Sequence, residues 1–266
     1  MKRTIFLGCI FILLLFSDGL CAVETGEPEV KADAALLYDM AQNEILWEKA
    51  GETLMAPASL IKVLNILTAE PYVGFNDEVV VGPLAETVYN GQLMGLKNGD
   101  IVNVDDLLYA MMLFSANDAA VALADYLVDD ISFYAILMDT KAWALGAVHT
   151  TSVNVNGYSE EEQKTTAYDL AVIGAAFMSN KRLCTLPSTK SHTLTWRSPE
   201  KSLDGSHLRP SHRGLMSTGK IQPDPCPLPG SCLDRLVGKP DFGETMGFYS
   251  SRLLQEKCRN PPVQGS

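Results

Sequence analysis

Leu60, Val63, Leu64 and Leu67 recur at the three- and four-residue spacing that lines one face of a helix. Pro57 stands just ahead of them, where a first-turn proline is tolerated, so the pattern predicts a helix opening at Ser59. Residues 104–114 form a second helix-like run and residues 118–127 a third, with only Ser115-Ala116-Asn117 between them. At the N-terminus Lys2 and Arg3 precede an apolar run over residues 5–16. That run is shorter than the ~20 apolar residues a membrane span needs. With the small residues of Leu20-Cys21-Ala22 it predicts a secretory signal peptide over residues 1–22, the alternative being an uncleaved anchor. Asp18-Gly19-Leu20 makes a poor lipid-attachment signal ahead of Cys21. Past residue 200 the pattern fades, and Pro223, Pro225, Pro227 and Pro229 alternate in a way no central strand tolerates.

Charge changes the picture at the same place. The 266-residue chain carries a net −11, but residues 1–180 hold 25 acidic and 8 basic side chains (−17), whereas residues 181–266 hold 7 and 13 (+6). The acidic first part argues against a nucleic-acid partner. Ten of the 14 prolines, three of the four histidines and four of the six cysteines also lie after residue 180. Cys226, Cys232 and Cys258 fit no metal spacing, and there is no Gly-rich phosphate loop. His149 is the only histidine of the first 180 residues, so a Ser-His-Asp triad or a zinc site lacks its parts there, and no cofactor is expected.

The chemistry that remains is Ser59-Leu60-Ile61-Lys62. Residues three apart share a helix face, so the Lys62 amine can reach the Ser59 hydroxyl. A free serine is a weak nucleophile and needs an adjacent base. A lysine can be that base if burial or a nearby positive charge lowers its pKa. A helix N-terminus also places backbone N–H groups where an oxyanion would form. By itself Ser-x-x-Lys is equally a cap followed by a solvated lysine. Ser115 and Asn117 sit in a short loop between two helices, which can project a hydroxyl and an amide into a cleft. The bland alternative is that they cap the helix that follows.

Ser-x-x-Lys followed by Ser-x-Asn is the motif order of the penicillin-recognising serine enzymes. The chain closely resembles the low-molecular-weight serine D-alanyl-D-alanine carboxypeptidases over residues ~30–198. Ala34-Ala35-Leu36-Leu37-Tyr38-Asp39 and Ile45-Leu46-Trp47-Glu48-Lys49 resemble that family's opening β-hairpin. Ala56-Pro57-Ala58-Ser59-Leu60-Ile61-Lys62 resembles its nucleophile helix, and Phe114-Ser115-Ala116-Asn117-Asp118-Ala119-Ala120 its second motif, with Ala116 where glycine is usual. Gly95-Leu96-Lys97-Asn98-Gly99-Asp100, Asn154-Val155-Asn156-Gly157 and Thr165-Thr166-Ala167-Tyr168-Asp169 resemble further markers.

The resemblance implies an α/β (α+β) fold: an antiparallel sheet begun by the 34–49 hairpin and flanked by helices, plus a mainly helical lobe from about residue 63 to 175. The site would lie between sheet and lobe. It implies acyl transfer on peptidoglycan stem peptides, with Ser59 as nucleophile, Lys62 as its base, Ser115 passing a proton to the leaving D-alanine and Asn117 holding the substrate backbone. β-Lactams would acylate Ser59, and the enzyme would act outside the cytoplasmic membrane. A serine β-lactamase is an alternative, but Glu160, Glu161 and Glu162 read as a solvated turn rather than a deacylating base.

One family element is absent from the sequence. No Lys-Thr-Gly occurs; Ser217-Thr218-Gly219-Lys220 holds Thr-Gly without the preceding lysine. The loss coincides with the jump in charge, proline and cysteine content. We read residues 23–200 as an incomplete catalytic domain whose last strands are missing, and 201–266 as an irregular tail, replaced by a reading-frame shift near residue 200 in preference to being a genuine arm. A third functional reading follows, a non-catalytic peptidoglycan- or β-lactam-binding protein. No amphipathic anchoring helix is expected near Ser266.

Overall fold

The computed structural model describes residues 28 and 30–199 and, for the backbone, 219–221 and 246–249. The predicted signal segment and most of the tail lie outside the described residues. Contacts divide the chain after Lys31, and the fold described here is that of Ala32–Ser266.

Two strands, β1 (Ala34–Asp39) and β2 (Glu44–Lys49), form the expected antiparallel hairpin. Its turn is held by the Asp39 carboxylate, which accepts from the Ala41 and Gln42 amides at 2.8 and 3.1 Å. The β1 side chains Ala34, Ala35 and Leu36 are buried, while β2 is largely exposed.

The helix predicted from Leu60, Val63, Leu64 and Leu67 begins as a 3-10 turn over Ala58–Leu60 and becomes α1 (Ile61–Ala69). All nine residues of α1 are buried. A helix buried all round is usually apolar all round. This one keeps a stripe of Lys62, Asn65 and Thr68 on one side, at three-residue spacing. Thr68 satisfies itself by donating to the Leu64 carbonyl at 2.8 Å; the other two reach neighbouring elements.

Around α1 the chain builds β3 (Glu78–Val80), the short α2 (Pro83–Glu86), β4 (Ile101–Asn103), α3 (Val104–Leu113), α4 (Asn117–Leu127), α5 (Ile131–Leu145) and α6 (Ala167–Ser179). Helices α3, α4, α5 and α6 all pack on α1, and α6 also packs on β1. Asp130 caps α5 by accepting from the Ser132 amide at 2.8 Å, and Thr166 caps α6 by accepting from Asp169 at 3.0 Å.

The described strands do not form one sheet. Thr193-Leu194-Thr195-Trp196, which resembles one family strand, divides between β5 (His192–Leu194) and β6 (Trp196–Arg197). β6 joins a three-stranded sheet in the order β3-β4-β6, whereas β5 pairs with β7 (Gly219–Ile221). β8 (Met246–Tyr249) lies parallel to β1, giving the order β2-β1-β8. The tail predicted to be irregular therefore supplies two short strands among the described residues. The physical reason for the split at Thr195 is Asp106: its buried carboxylate takes the Thr195 amide at 3.2 Å, the Thr195 hydroxyl at 3.0 Å and the His192 ring at 2.8 Å. His192 also stacks on Tyr109, with ring centroids 3.8 Å apart. Thr195 is thereby held to α3 between the two strands.

Candidate active site

Four polar groups from three stretches of chain converge on the Lys62 amine. Its Nζ lies 3.0 Å from Ser59 Oγ, 3.4 Å from Ser115 Oγ and 2.8 Å from Asn117 Oδ1, and within hydrogen-bond reach of the Asn156 carbonyl. Lys62 is only 1% exposed. Burial disfavours the ammonium and brings its pKa down to about 7, against a smaller opposing pull from the Asp118 carboxylate. The lysine expected beside Ser59 thus has the burial that a base requires and is not the solvated lysine of the bland alternative.

Ser59 lies in the 3-10 turn and is exposed, so its hydroxyl faces solvent on one side and Lys62 on the other. Ala58 before it has φ +46° and Ser115 has φ +59°, left-handed values that non-glycine residues seldom adopt. Such strain persists only where surroundings over-determine it, and it clusters at functional sites.

Ser115 and Asn117 do not cap α4. The N-cap position is Ala116, and no side chain caps that helix end. Asn117 instead turns its Oδ1 to Lys62 and its Nδ2 to the Asn90 carbonyl at 2.9 Å. Its backbone N–H donates to the Gln92 carbonyl at 2.8 Å. Gly91, between these two partners, has φ +73°, and a Cβ there would stand 2.5 Å from Asn117 Nδ2. The next residue, Asp118, is buried and spends its carboxylate on the amides of Met94, Gly95 and Leu96 at 2.9, 2.8 and 3.1 Å. The 90–96 loop is thereby tied to the start of α4.

The fourth of these groups, the carbonyl of Asn156, belongs in the sequence only to a stretch that resembles a family marker. It belongs to a tight turn. Asn154 Oδ1 accepts from the Gly157 amide at 2.8 Å, and Asn156 Oδ1 accepts from Tyr158 at 3.0 Å. Asn-x-Asn-Gly is a turn signature legible in sequence, but nothing in it says that the carbonyl would meet a lysine. The Glu160-Glu161-Glu162 run is exposed on the turn that follows, closed by Gln163 N donating to the Glu160 carbonyl at 3.2 Å. Among the described residues no cluster of His, Cys, Asp and Glu could hold a metal, and no helix is long and apolar enough to cross a membrane. Ser217 and Thr218 lie outside the described residues.

Such an arrangement can deprotonate a serine and relay a proton between two hydroxyls, with the amide beside them to hold a polar substrate. A family model described as D-alanyl-D-alanine carboxypeptidase matches residues 21–215. The match stops just before Ser217-Thr218-Gly219-Lys220. The chain is 34% identical over 183 residues to the D-alanyl-D-alanine carboxypeptidase DacC of Escherichia coli, covering 64% of this chain and 46% of that one. It is 30% identical over 279 residues to DacD of Salmonella typhimurium, covering 97% and 70%. Among solved structures, a D-alanyl-D-alanine carboxypeptidase from Mycobacterium tuberculosis superposes with a TM-score of 0.63 at 26% identity, covering 76% of this chain and 69% of that one. The chain spans about half the length of several curated relatives it matches, between 46% and 54% for three of them.

Proposed function

Because this chain belongs to the D-alanyl-D-alanine carboxypeptidase family, we propose that it performs acyl transfer on peptides ending in D-Ala-D-Ala, the stem peptides of peptidoglycan, with Ser59 as the nucleophile. The observation that carries this is the Lys62 amine, buried, 3.0 Å from Ser59 Oγ and with its pKa brought down to about 7. Near neutral pH a substantial fraction of Lys62 is uncharged and can accept the serine proton.

Ser59 Oγ attacks the carbonyl of the penultimate D-alanine while its proton passes to Lys62 Nζ. Backbone N–H groups at the head of the 3-10 turn stabilise the tetrahedral oxyanion. As the intermediate collapses, the C–N bond breaks, and the proton reaches the leaving D-alanine nitrogen through the Ser115 hydroxyl. Asn117 has one amide hydrogen beyond that given to Asn90, and it holds the substrate backbone. Water then attacks the acyl-enzyme, Ser59 recovers its proton and the shortened peptide leaves. A β-lactam offers the same carbonyl to the same oxygen and would acylate Ser59.

The chain lacks Lys-Thr-Gly, so the substrate carboxylate has no lysine from that motif to meet. This favours slow turnover, and it supports a second reading: a protein that binds and acylates without completing the cycle. The export signal over residues 1–22 and a wall-side location are part of the proposal, as is the division into a catalytic part over 23–200 and a divergent tail.

Two measurements on purified chain test the proposal. Mass spectrometry after incubation with a labelled penicillin should place the adduct on Ser59, and a D-Ala-D-Ala-terminated peptide should release D-alanine. An adduct on Ser115 would reject Ser59 as nucleophile. An adduct on Ser59 without D-alanine release would select the second reading, and a short-lived adduct hydrolysed with multiple turnovers would select a β-lactamase.

A further inference from the structure

One turn along α1 from Lys62, Asn65 is fully buried and spends its side chain on three other elements. Its Nδ2 donates to the Val155 carbonyl at 2.9 Å and to the Ala120 carbonyl in α4 at 3.2 Å. The Tyr134 hydroxyl, buried in α5, lies 3.1 Å from Asn65 Oδ1 and 3.0 Å from the Asn65 carbonyl. A hydroxyl donor facing Oδ1 and two carbonyls facing Nδ2 leave one sensible orientation for the amide.

Those partners adjoin the groups that surround Lys62. Val155 precedes Asn156, whose carbonyl meets the amine; Ala120 lies one turn from Asn117, whose Oδ1 meets it too. These two oxygens can only accept. A neutral lysine amine has two N–H groups and one lone pair. If the two N–H groups are taken by the Asn156 carbonyl and Asn117 Oδ1, the lone pair is left for the hydroxyl side, where Ser59 Oγ lies 3.0 Å away. A lone pair turned elsewhere could not take the serine proton, whatever its basicity.

We propose that Asn65, oriented by Tyr134, is the positioning residue of the site: by pinning the 155–156 segment and the first turn of α4 it fixes the two acceptors that aim the Lys62 lone pair at Ser59. The mechanism to which this applies is the acyl transfer proposed above. Asn65 touches no reacting atom and acts only through Lys62. Lys62 is 1% exposed, and the 155–156 segment and the start of α4 that Asn65 pins are part of what covers it. Of the titratable groups around the site, Asp118 acts on Lys62 directly, and Tyr134 has its own hydroxyl held well above the ordinary tyrosine range by burial. Ser59, Ser115, Asn117 and the Asn156 carbonyl do not titrate near neutrality.

The test follows Lys62 itself. Full-length chain labelled with 13C-lysine is titrated by NMR, the Lys62 signal being the one lost in Lys62→Met. The same is done for Asn65→Leu, which keeps the shape and removes the amide, and for Tyr134→Phe, which removes one hydroxyl. Water entering past a loosened wall would relieve the burial that lowers the Lys62 pKa, so both variants should titrate about one unit above the wild-type midpoint near 7. A one-unit rise cuts the neutral fraction at pH 7 about fivefold, so penicillin acylation should fall by at least that much at pH 7, and the part of the loss that comes from a misdirected lone pair should persist at pH 9, where the amine is neutral in every chain. Folded variants that acylate at the wild-type rate at pH 9 overturn the inference, because the lone pair is then aimed without Asn65. If Asn65→Leu does not fold, Tyr134→Phe decides alone by the same criterion. A raised midpoint in a chain that no penicillin acylates supports the positioning role and rejects the acyl-transfer reading, so the two failures are separable.

Discussion

Gly157→Ala is the sharpest perturbation the site offers. Gly157 has φ +86°, and a Cβ there would stand 2.1 Å from the Ala58 carbonyl oxygen, 2.4 Å from its carbon and 2.7 Å from the Ser59 nitrogen. Carbon atoms rest at about 3.5–4.0 Å, so the overlap exceeds roughly 1 Å, and every atom it meets is backbone. No rotamer can relieve it; either the 156–157 turn or the 58–59 peptide must move. The first carries the carbonyl that meets Lys62, and the second carries Ser59, the proposed nucleophile. A displacement of about 1 Å from productive geometry costs on the order of 10²-fold in rate. The left-handed conformation adds ~1–2 kcal/mol for alanine, and overpacking adds ~1–3 kcal/mol. A total near 3 kcal/mol lowers Tm by roughly 6–12 °C in a domain of this size.

The assay is the second-order acylation rate with a fluorescent penicillin, paired with a thermal melt. Gly146→Ala is the control, since Gly146 has φ +93° with nothing within 4 Å of its virtual Cβ. It should pay the conformational cost alone and acylate at the wild-type rate. Acylation of folded Gly157→Ala within about threefold of wild type would refute the idea that this turn is pressed against the nucleophile, because a backbone overlap of ~1 Å cannot be relieved for less.

Further expectations concern the charge and its holders. Lys62→Met should lower acylation by roughly 10²–10⁴-fold while the chain stays folded, measured by rate and circular dichroism; near-normal acylation would mean another group removes the proton. In wild type the acylation rate should climb about tenfold per pH unit below 7 and level above it, because the neutral amine is the active form and its pKa is about 7; a flat pH–rate profile would contradict a lysine base. Asp118→Asn weakens three charge-assisted bonds to the 94–96 amides and should destabilise the chain by roughly 2–3 kcal/mol, read from denaturant unfolding; an unchanged midpoint would show that the loop is held otherwise.

The amino-acid sequence by itself determined the elements with strong periodicity. The helices over 61–69, 104–113 and 117–127 lie where apolar spacing puts them, because a continuous face must be buried and local spacing records that face. Ser59, Lys62, Ser115 and Asn117 were identifiable as a motif, since three-residue spacing on one helix and a two-helix loop are local facts. What spacing could not give is the environment. Lys62 is a buried amine rather than a solvated ammonium only because α3, α4, α5 and α6 enclose α1, and that burial comes from contacts far apart in the chain.

The same holds for groups that have no motif of their own. A backbone carbonyl such as that of Asn156 has no residue-type signature, and nothing in the spacing around Asn65 announces its three partners at positions 120, 134 and 155. The run 193–196 reads as a strand in the sequence, but its division into two and the strands at 219–221 and 246–249 are not legible there, for a related reason. At two to four residues each they are too short to carry a period, and their pairing is chosen by a buried carboxylate on α3 and by partners as distant as residues 101–103 and 219–221. Local spacing fixes which side chains share a face, and only tertiary packing decides which faces lose their water, on which the lowered pKa of Lys62 depends.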